Sequence, residues 1–318
     1  MLNKLRLLLN SGELLDAIKC CCEDVQISGC WNHDKLNTVH TSASFEGNRL
    51  NAWGTDINES IALAKSLVEL IERIHIKEIP ISWINMSSGE QISDSKFQNK
   101  WHILQSFLQT SSGMAAHFNN KNAKQNALYE IIERHVITKA MLEGVKAHAI
   151  LNDIFVWKGP LECQIAVVRH NTGNGKYVYG TAASESVSRA VSAAKREISA
   201  LIQWSQNSAN VSHLLQEATP NQPSEIQAYH LEQKRVIDIF EASNPEEQII
   251  SSHITLKDIW FAEIPLLNPF ERTGIKVVRA FSPLMQPLYF GKLSEGPINP
   301  AAIDLSRLNI QAEYNVVA

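Results

Sequence analysis

Glutamates recur in this sequence at a spacing that would put them on one side of a helix. Glu130-Ile131-Ile132-Glu133-Arg134 closes an amphipathic run that follows Thr110-Ser111-Ser112-Gly113. Sixty-one residues earlier, Glu69-Leu70-Ile71-Glu72-Arg73 closes another Ala-rich run. A third run carries Lys195-Arg196-Glu197 after Gly180-Thr181-Ala182-Ala183. Residues three and four apart share a helix face, so Glu130, Glu133 and Arg134 project together, as do Glu69, Glu72 and Arg73. Two or three such faces brought together would crowd several carboxylates, with arginines beside them. Crowded like charge is costly, and Mg²⁺ relieves it by taking carboxylate and phosphate oxygens at once. Binding of a metal-bridged polyphosphate is the chemistry such a set could do. The same pattern also occurs on solvated helices, where each Glu/Arg pair adds about 0.2–0.5 kcal/mol. The flanking Leu67, Val68, Leu70, Ile71, Leu128, Ile131 and Ile132 point to buried helices whose acids face a cavity or a paired interior. On pattern alone both readings stay open.

The elements that must position these acids can be read from periodicity. Leu2 to Cys22 has apolar residues at helical spacing, and Val25–Trp31 and Asn37–Asn51 read as strands. Asp56 or Asn58 would cap a helix running to about Arg73. Ile79–Ile84 and Trp101–Leu108 read as further strands, with a polar loop at Gly89–Gln98 between them. A helix from Ala123 continues to about Leu142 and then meets a loop. Cys163–His170 and Lys176–Ala183 form two strands around Asn171-Thr172-Gly173-Asn174-Gly175, a strong turn signal. Ser186 starts a long helix through Gln203, and Ala209–Pro223 is polar and loop-rich. Leu231–Phe240 reads as helix, and Ile249–Leu256, Trp260–Leu266 and Ile275–Phe281 as strands. Helices and strands alternate irregularly, so the class is α/β in a mixed α+β sense. The twin Glu-x-x-Glu-Arg runs suggest internally related halves. Neither Gly-x-Gly-x-x-Gly nor a Walker loop is present, so a nucleotide would be held without either common phosphate cradle.

Composition narrows the function classes. With 318 residues, 44% hydrophobic and 19% charged, the chain can bury a sizeable core. A net charge of −4 gives no support to nucleic acid or an anionic membrane as partner. No apolar run is long enough to cross a bilayer, and the Leu-rich start, broken by Asn10-Ser11-Gly12, does not read as a signal peptide. A cytoplasmic protein is expected. Five cysteines, three of them consecutive at Cys20, Cys21 and Cys22, argue against a disulfide framework. Cys20, Cys22, Cys30 and His33 fit no common zinc knuckle and read as reduced structural positions.

Taken together, the helices resemble those of the YcaO superfamily, ATP-dependent enzymes that modify peptide backbones during ribosomal natural-product biosynthesis. The likeness rests on Gly54 through Ala62 to Glu69, Glu72 and Arg73. It continues through Ser111-Ser112-Gly113-Met114-Ala115-Ala116, then Ala123, Ala127, Glu130, Glu133 and Arg134. Gly180, Ala182-Ala183, Ala190, Ala194 and Glu197 carry the third part, and Gly274 to Arg279, ending at Gly291, the fourth. The resemblance implies a YcaO-like fold with an ATP-binding core over 54–291. An N-terminal helix and strands over 1–53 would precede it, and a tail over 292–318 would follow. It implies ATP and Mg²⁺ as cofactors, with Glu69, Glu72, Glu130, Glu133 and Glu197 as metal ligands. Arg73 and Arg134 would touch phosphate or hold the acids in place. Ser112 would be a further cofactor contact, standing where the family usually has Asn, and so would Gln203, one turn beyond the family's usual Gln position, here Ala200. The implied chemistry is phosphorylation of a backbone amide oxygen after a nucleophile adds to the carbonyl. This turns a poor leaving oxygen into a good one while the protein positions groups and neutralises charge.

Departures from the family pattern set further expectations. Trp53 replaces a basic residue between two glycines, and His135 replaces an acid after Arg134; the histidine is expected to pack rather than to catalyse. Many azoline-forming members end in a Pro-rich tail, whereas this chain ends Tyr314-Asn315-Val316-Val317-Ala318, which leaves the general base without a candidate. The stretch before the core is shorter than a fused peptide clamp, so the precursor peptide would be presented by a separate partner protein. A homo-oligomer stays open. Two functions follow: modification of a precursor peptide, as azoline cyclodehydration or thioamide or amidine formation, or service as a catalytically weakened scaffold subunit of a synthetase complex. A housekeeping role in sulfur transfer is a third reading.

Overall fold

The computed structural model describes residues 2–33, 35–108, 110–173, 175–206, 238–240, 250–251, 253–289 and 296–308. Two compact units divide the chain, and each is assembled from non-contiguous segments. The first holds residues 1–102, 113–128 and 260–280, and the second 103–112, 129–259 and 281–318.

In the first unit, helix α1 (Leu2–Cys21) leads into strands β1 (Glu23–His33), β2 (Leu36–Phe45) and β3 (Asn48–Asp56). These form an antiparallel meander. The single strand expected over 37–51 is a hairpin instead. Glu46 and Gly47 both take positive φ, 49° and 75°, and turn the chain there. Strand β3 runs across the boundary expected at residue 53. Helix α2 (Glu59–Ile74) then lies on β2 and β3, its start capped by Asn58 Oδ1 accepting from the Ile61 N–H at 3.2 Å. Residues Leu67, Leu70, Ile71 and Ile74 of α2 join Leu14 and Ile18 of α1 and Ala43 and Ala52 of the strands in one buried cluster. Gly54 is what lets α2 come so close. A Cβ on it would stand 1.9 Å from the Ala62 carbonyl oxygen and 2.5 Å from the Ser66 nitrogen.

A second sheet in this unit has the order β5-β4-β11-β12-β6, from Gln91–Ser93, Ser82–Asn85, Trp260–Glu263, Lys276–Phe281 and Met114–His117. The strand expected over 101–108 is not there: Leu104–Leu108 is a short helix, α4, and Asp94–Lys100, within and just past the expected loop, is another, α3. Leu104 and Phe107 are buried at three-residue spacing, a helical interval that a short apolar run does not distinguish from a strand.

In the second unit, β7 (His148–Leu151), β8 (Ile154–Lys158), β9 (Gln164–Gly173) and β10 (Lys176–Ser184) form an antiparallel meander, of which β7 and β8 fall where a loop was expected. Helix α6 (Val187–Gln206) packs on β9 and β10 through Ala190, Ala194, Ile198 and Ile202. Again a glycine admits the helix: a Cβ on Gly180 would stand 2.4 Å from the Ala194 carbonyl oxygen. Gly54 pairs with Val39 across its hairpin, and Gly180 pairs with Val168 across the other. The internally related parts are therefore hairpin-plus-helix, α2 on β2–β3 and α6 on β9–β10. Helix α5 (Asn120–Glu143), which bears the second Glu-x-x-Glu-Arg, follows the lone strand β6 rather than a hairpin. Residues 250–256 contain no strand among those described. Most of the helix expected over 231–240, Gly291 and the end of the tail lie outside the described residues.

Candidate active site

All five candidate acids are half-buried. In the first unit, Glu69 Oε2 accepts from the Trp53 backbone N–H at 2.9 Å. Its Oε1 takes Arg73 Nη2 at 2.8 Å and Nε at 3.2 Å. Arg73 thus meets one oxygen of Glu69 through two of its nitrogens. One turn on, Glu72 Oε1 accepts from the Ala116 N–H on β6 at 2.5 Å. Each carboxylate is fixed by a main-chain donor, which sets its direction.

The second unit repeats the device. Glu197 Oε2 accepts from the Thr181 backbone N–H at 2.9 Å, and Glu133 Oε1 from the Thr181 hydroxyl at 2.6 Å. One residue therefore gathers two acids from two helices. The donor lies sixteen positions before its acid in both units, Trp53 to Glu69 and Thr181 to Glu197. Sequence reasoning passed over Thr181, although the turn after Gly180 was in view. Glu130 sits 3.8 Å from Arg134 Nε. The Nε and Nη1 atoms of Arg134 are buried and make no hydrogen bond among the described residues. Buried donors left unmatched cost about 1–3 kcal/mol each, and an anion would satisfy them.

A second group sits at the start of α6. Tyr129 donates to Glu185 Oε2 at 3.0 Å and Ser184 donates to the same oxygen at 2.8 Å. The Ser184 hydroxyl, the Glu185 main chain and Tyr129 hold this carboxyl down at about 2. Tyr129 and Glu133, one turn apart on α5, thereby dock that helix on β10 and the head of α6.

The remaining positions are Ser112, Gln203 and His135. Ser112 is fully buried, and its hydroxyl and N–H are both tied to Thr110 Oγ1, at 2.8 and 3.2 Å, in the turn before Gly113. It shapes that turn. Gln203 lies within α6 with its side chain outside the described residues. His135 is wholly buried: Nδ1 accepts from the Gln286 N–H and Nε2 pairs with Ser251 Oγ, both at 2.9 Å. Among the described residues no group of three or more His, Cys, Asp or Glu side chains could hold a metal ion by itself. Mg²⁺ does not need one, since it commonly keeps waters and sits between one or two carboxylates and phosphate oxygens. Within the second unit, Glu133 and Glu197 oriented by Thr181, next to Arg134 Nε and Nη1 that lack hydrogen bonds among the described residues, are chemically suited to such an ion and a phosphate group.

Residues 78–155 match the family model described as YcaO cyclodehydratase, ATP- and Mg²⁺-binding, a stretch that includes Glu130, Glu133 and Arg134. The sequence matches no curated protein. The fold is similar to the E. coli microcin synthetase McbBCD complex at 12% identity and TM-score 0.54, covering 92% of this chain and 96% of that one. It is also similar to YcaO from Methanopyrus kandleri bound with AMPPCP and Mg²⁺, at 11% identity and TM-score 0.55, covering 86% and 90%. A heterocyclase in complex with substrate and cofactor matches at 10% identity and TM-score 0.58, over 94% of this chain and 58% of that one. Over residues 78–155 the chain is thus similar to the YcaO family model, and its fold is similar to that of these solved proteins.

Proposed function

We propose that the protein uses ATP and Mg²⁺ to activate a backbone amide of a ribosomally made precursor peptide, with azoline formation or thioamide or amidine formation as the outcome. The observation that carries this reading is Arg134, whose buried Nε and Nη1 lack hydrogen-bond partners among the described residues, beside Glu130 and one residue from Glu133. In this reading the ATP-binding core is residues 54–291. Glu69, Glu72, Glu130, Glu133 and Glu197 are the groups that hold Mg²⁺, which when bound neutralises phosphate charge. Arg134 takes phosphate oxygen, while Arg73 and Thr181 hold acids in position. A separate partner protein presents the peptide. Similarity to the McbBCD complex with pro-MccB17 bound supports a peptide substrate and a partner.

The test is Glu133→Gln. It keeps size and helix propensity, so stability changes by less than about 1 kcal/mol. Mass change of the precursor, assayed with the partner, falls by orders of magnitude while partner binding persists. Full modification by the variant would remove these acids from the metal site. A second reading, a scaffold subunit that no longer turns over ATP, draws on the departures from the family pattern at Trp53, Ser112 and His135. A wild type that neither modifies peptide nor consumes ATP beside its partner would favour it.

A further inference from the structure

Helix α5 is tied to the end of β10 and the head of α6 at two points, and only one of the two is a proposed metal ligand. Glu133 Oε1 accepts from the Thr181 hydroxyl at 2.6 Å, and the Thr181 N–H holds Glu197 Oε2 at 2.9 Å. Four residues before Glu133, the Tyr129 hydroxyl donates to Glu185 Oε2 at 3.0 Å. Tyr129 and Glu133 share a helix face, about 6 Å apart along the axis. Their partners, Thr181 and Glu185, lie four positions apart in one short stretch. A single tie would let α5 pivot about it. Two ties one turn apart fix both its rotation and its distance from that stretch.

The acceptor for Tyr129 is set in place from its own side. The buried Ser184 donates to Glu185 Oε2 at 2.8 Å, and Arg189, one turn into α6, pairs with Oε1. Tyr129 therefore lands on a carboxylate that α6 has already oriented. A hydrogen bond to a charged oxygen is about twice as strong as a neutral one.

Thr181 gathers Glu133 from α5 and Glu197 from α6, so the separation of these two carboxylates depends on where α5 lies over β10. That separation matters to a cation. Mg²⁺ demands near-octahedral oxygens at about 2.0–2.1 Å, whereas Ca²⁺ accepts a flexible set at about 2.3–2.6 Å. Acids held at a fixed spacing can favour the smaller ion, and acids free to drift lose that preference. We infer that Tyr129 and Glu185 are positioning residues that fix the spacing of Glu133 and Glu197, so that the acid site selects Mg²⁺ over the larger Ca²⁺. This rests on the metal reading above and adds the source of its ion specificity.

The experiment measures binding of ATP to the full chain by calorimetry with Mg²⁺, with Ca²⁺ and with EDTA, alongside the unliganded thermal midpoint. Tyr129→Phe removes one hydroxyl and keeps the ring. Groups that orient metal ligands are worth about 10–100-fold in metal affinity, and the indirect tie belongs at the low end. Wild type should bind ATP more tightly with Mg²⁺ than with Ca²⁺. Tyr129→Phe should lose roughly tenfold with Mg²⁺, stay within about twofold with Ca²⁺, and melt as wild type does. Glu185→Ala should repeat that pattern, and Glu185→Gln, which keeps an acceptor oxygen, should recover most of the loss. Equal losses with both ions would mean the tie only supports packing, and would overturn the inference. So would unchanged Mg²⁺ dependence in both Tyr129→Phe and Glu185→Ala, or a wild type indifferent to the ion. A loss in Tyr129→Phe that Glu185→Ala does not share would assign the effect to another contact of Tyr129 and overturn the pair. All of these leave the metal–phosphate reading standing. A wild type that binds ATP as tightly in EDTA, or not at all, overturns both.

Discussion

Thr181 is a small residue placed where two helices can be read at once. Its N–H serves Glu197 and its hydroxyl serves Glu133, so removing the hydroxyl frees one acid while leaving the other held. Groups that orient metal ligands through a hydrogen bond are typically worth about 10–100-fold in metal affinity. Thr181→Ala should weaken Mg²⁺-dependent ATP binding by that factor, and Thr181→Ser should restore most of it; calorimetry checks both. A loss shared equally by the serine variant would trace the effect to packing of the methyl group. His135 is the opposite kind of residue, sequestered rather than poised. Burial, then the positive charge of Lys139 and of His253, pushes its pKa down to about 3. The unfolded chain binds this proton near pH 6.5, so between pH 6.5 and about 3 the unfolded state holds more protons than the folded one. Stability from this residue is thus present above pH 6.5 and lost as pH falls, by up to about 1.4 kcal/mol per unit. Urea melts at pH 7 and pH 5 should show that slope, and His135→Gln should flatten it. An unchanged slope in the variant would place the acid sensitivity elsewhere, with His75, His117 and His40, also lowered by burial, next in line.

Elements defined by long periodic patterns were legible in the sequence, and those defined by tertiary contact were not. α1, α2, α5 and α6 fall within a few residues of where apolar spacing puts them, as does the β9–β10 hairpin with its Gly173 turn. The hairpin at Glu46-Gly47 was hidden because Glu46 is not a usual turn residue, yet takes φ 49°. The repeat was half-read: the acids stand out in sequence, but equivalence follows the glycine beneath each helix, which only the close approach reveals. The acid positions were legible because charge spacing is a local property. Their partners, the N–H groups of Trp53, Ala116 and Thr181, come from other elements and leave no pattern in sequence. Glycine substitutions test this at the scale of the element. Gly54→Ala drives a Cβ into backbone that cannot swing away, and should cost about 3 kcal/mol or more. Gly180→Ala should behave alike. Gly12→Ala is the control of opposite sign: nothing lies within 4 Å of its Cβ, and alanine within α1 should stabilise by about 0.5–1 kcal/mol. Chemical denaturation of the three variants measures all of this, and similar small effects at all three glycines would contradict the close approach of α2 and α6.

At the scale of the whole chain, no described helix is long and apolar enough to cross a membrane, and the net charge of −4 offers little to polyanions without a counter-ion. That last point makes the metal requirement sharp. In the proposed reading Glu69, Glu72, Glu130, Glu133 and Glu197 add negative charge where a triphosphate would come to rest, while Arg73 is already engaged with Glu69. ATP alone should therefore be repelled, whereas ATP with Mg²⁺ should be attracted. A ligand bound only by the folded state stabilises it by about 2.7 kcal/mol at one hundred times its Kd. Thermal unfolding with ATP and Mg²⁺ should accordingly shift upward by several degrees, with ATP and EDTA giving no shift. Glu133→Gln should lose most of the shift, yet its own unliganded midpoint should stay the same or rise slightly, since one member of a like-charged group is gone. A fall in that unliganded midpoint by many degrees would make Glu133 a structural anchor through Thr181 rather than a ligand. An equal shift with EDTA would mean the nucleotide binds through arginine and main-chain donors alone, and the acids would need another explanation.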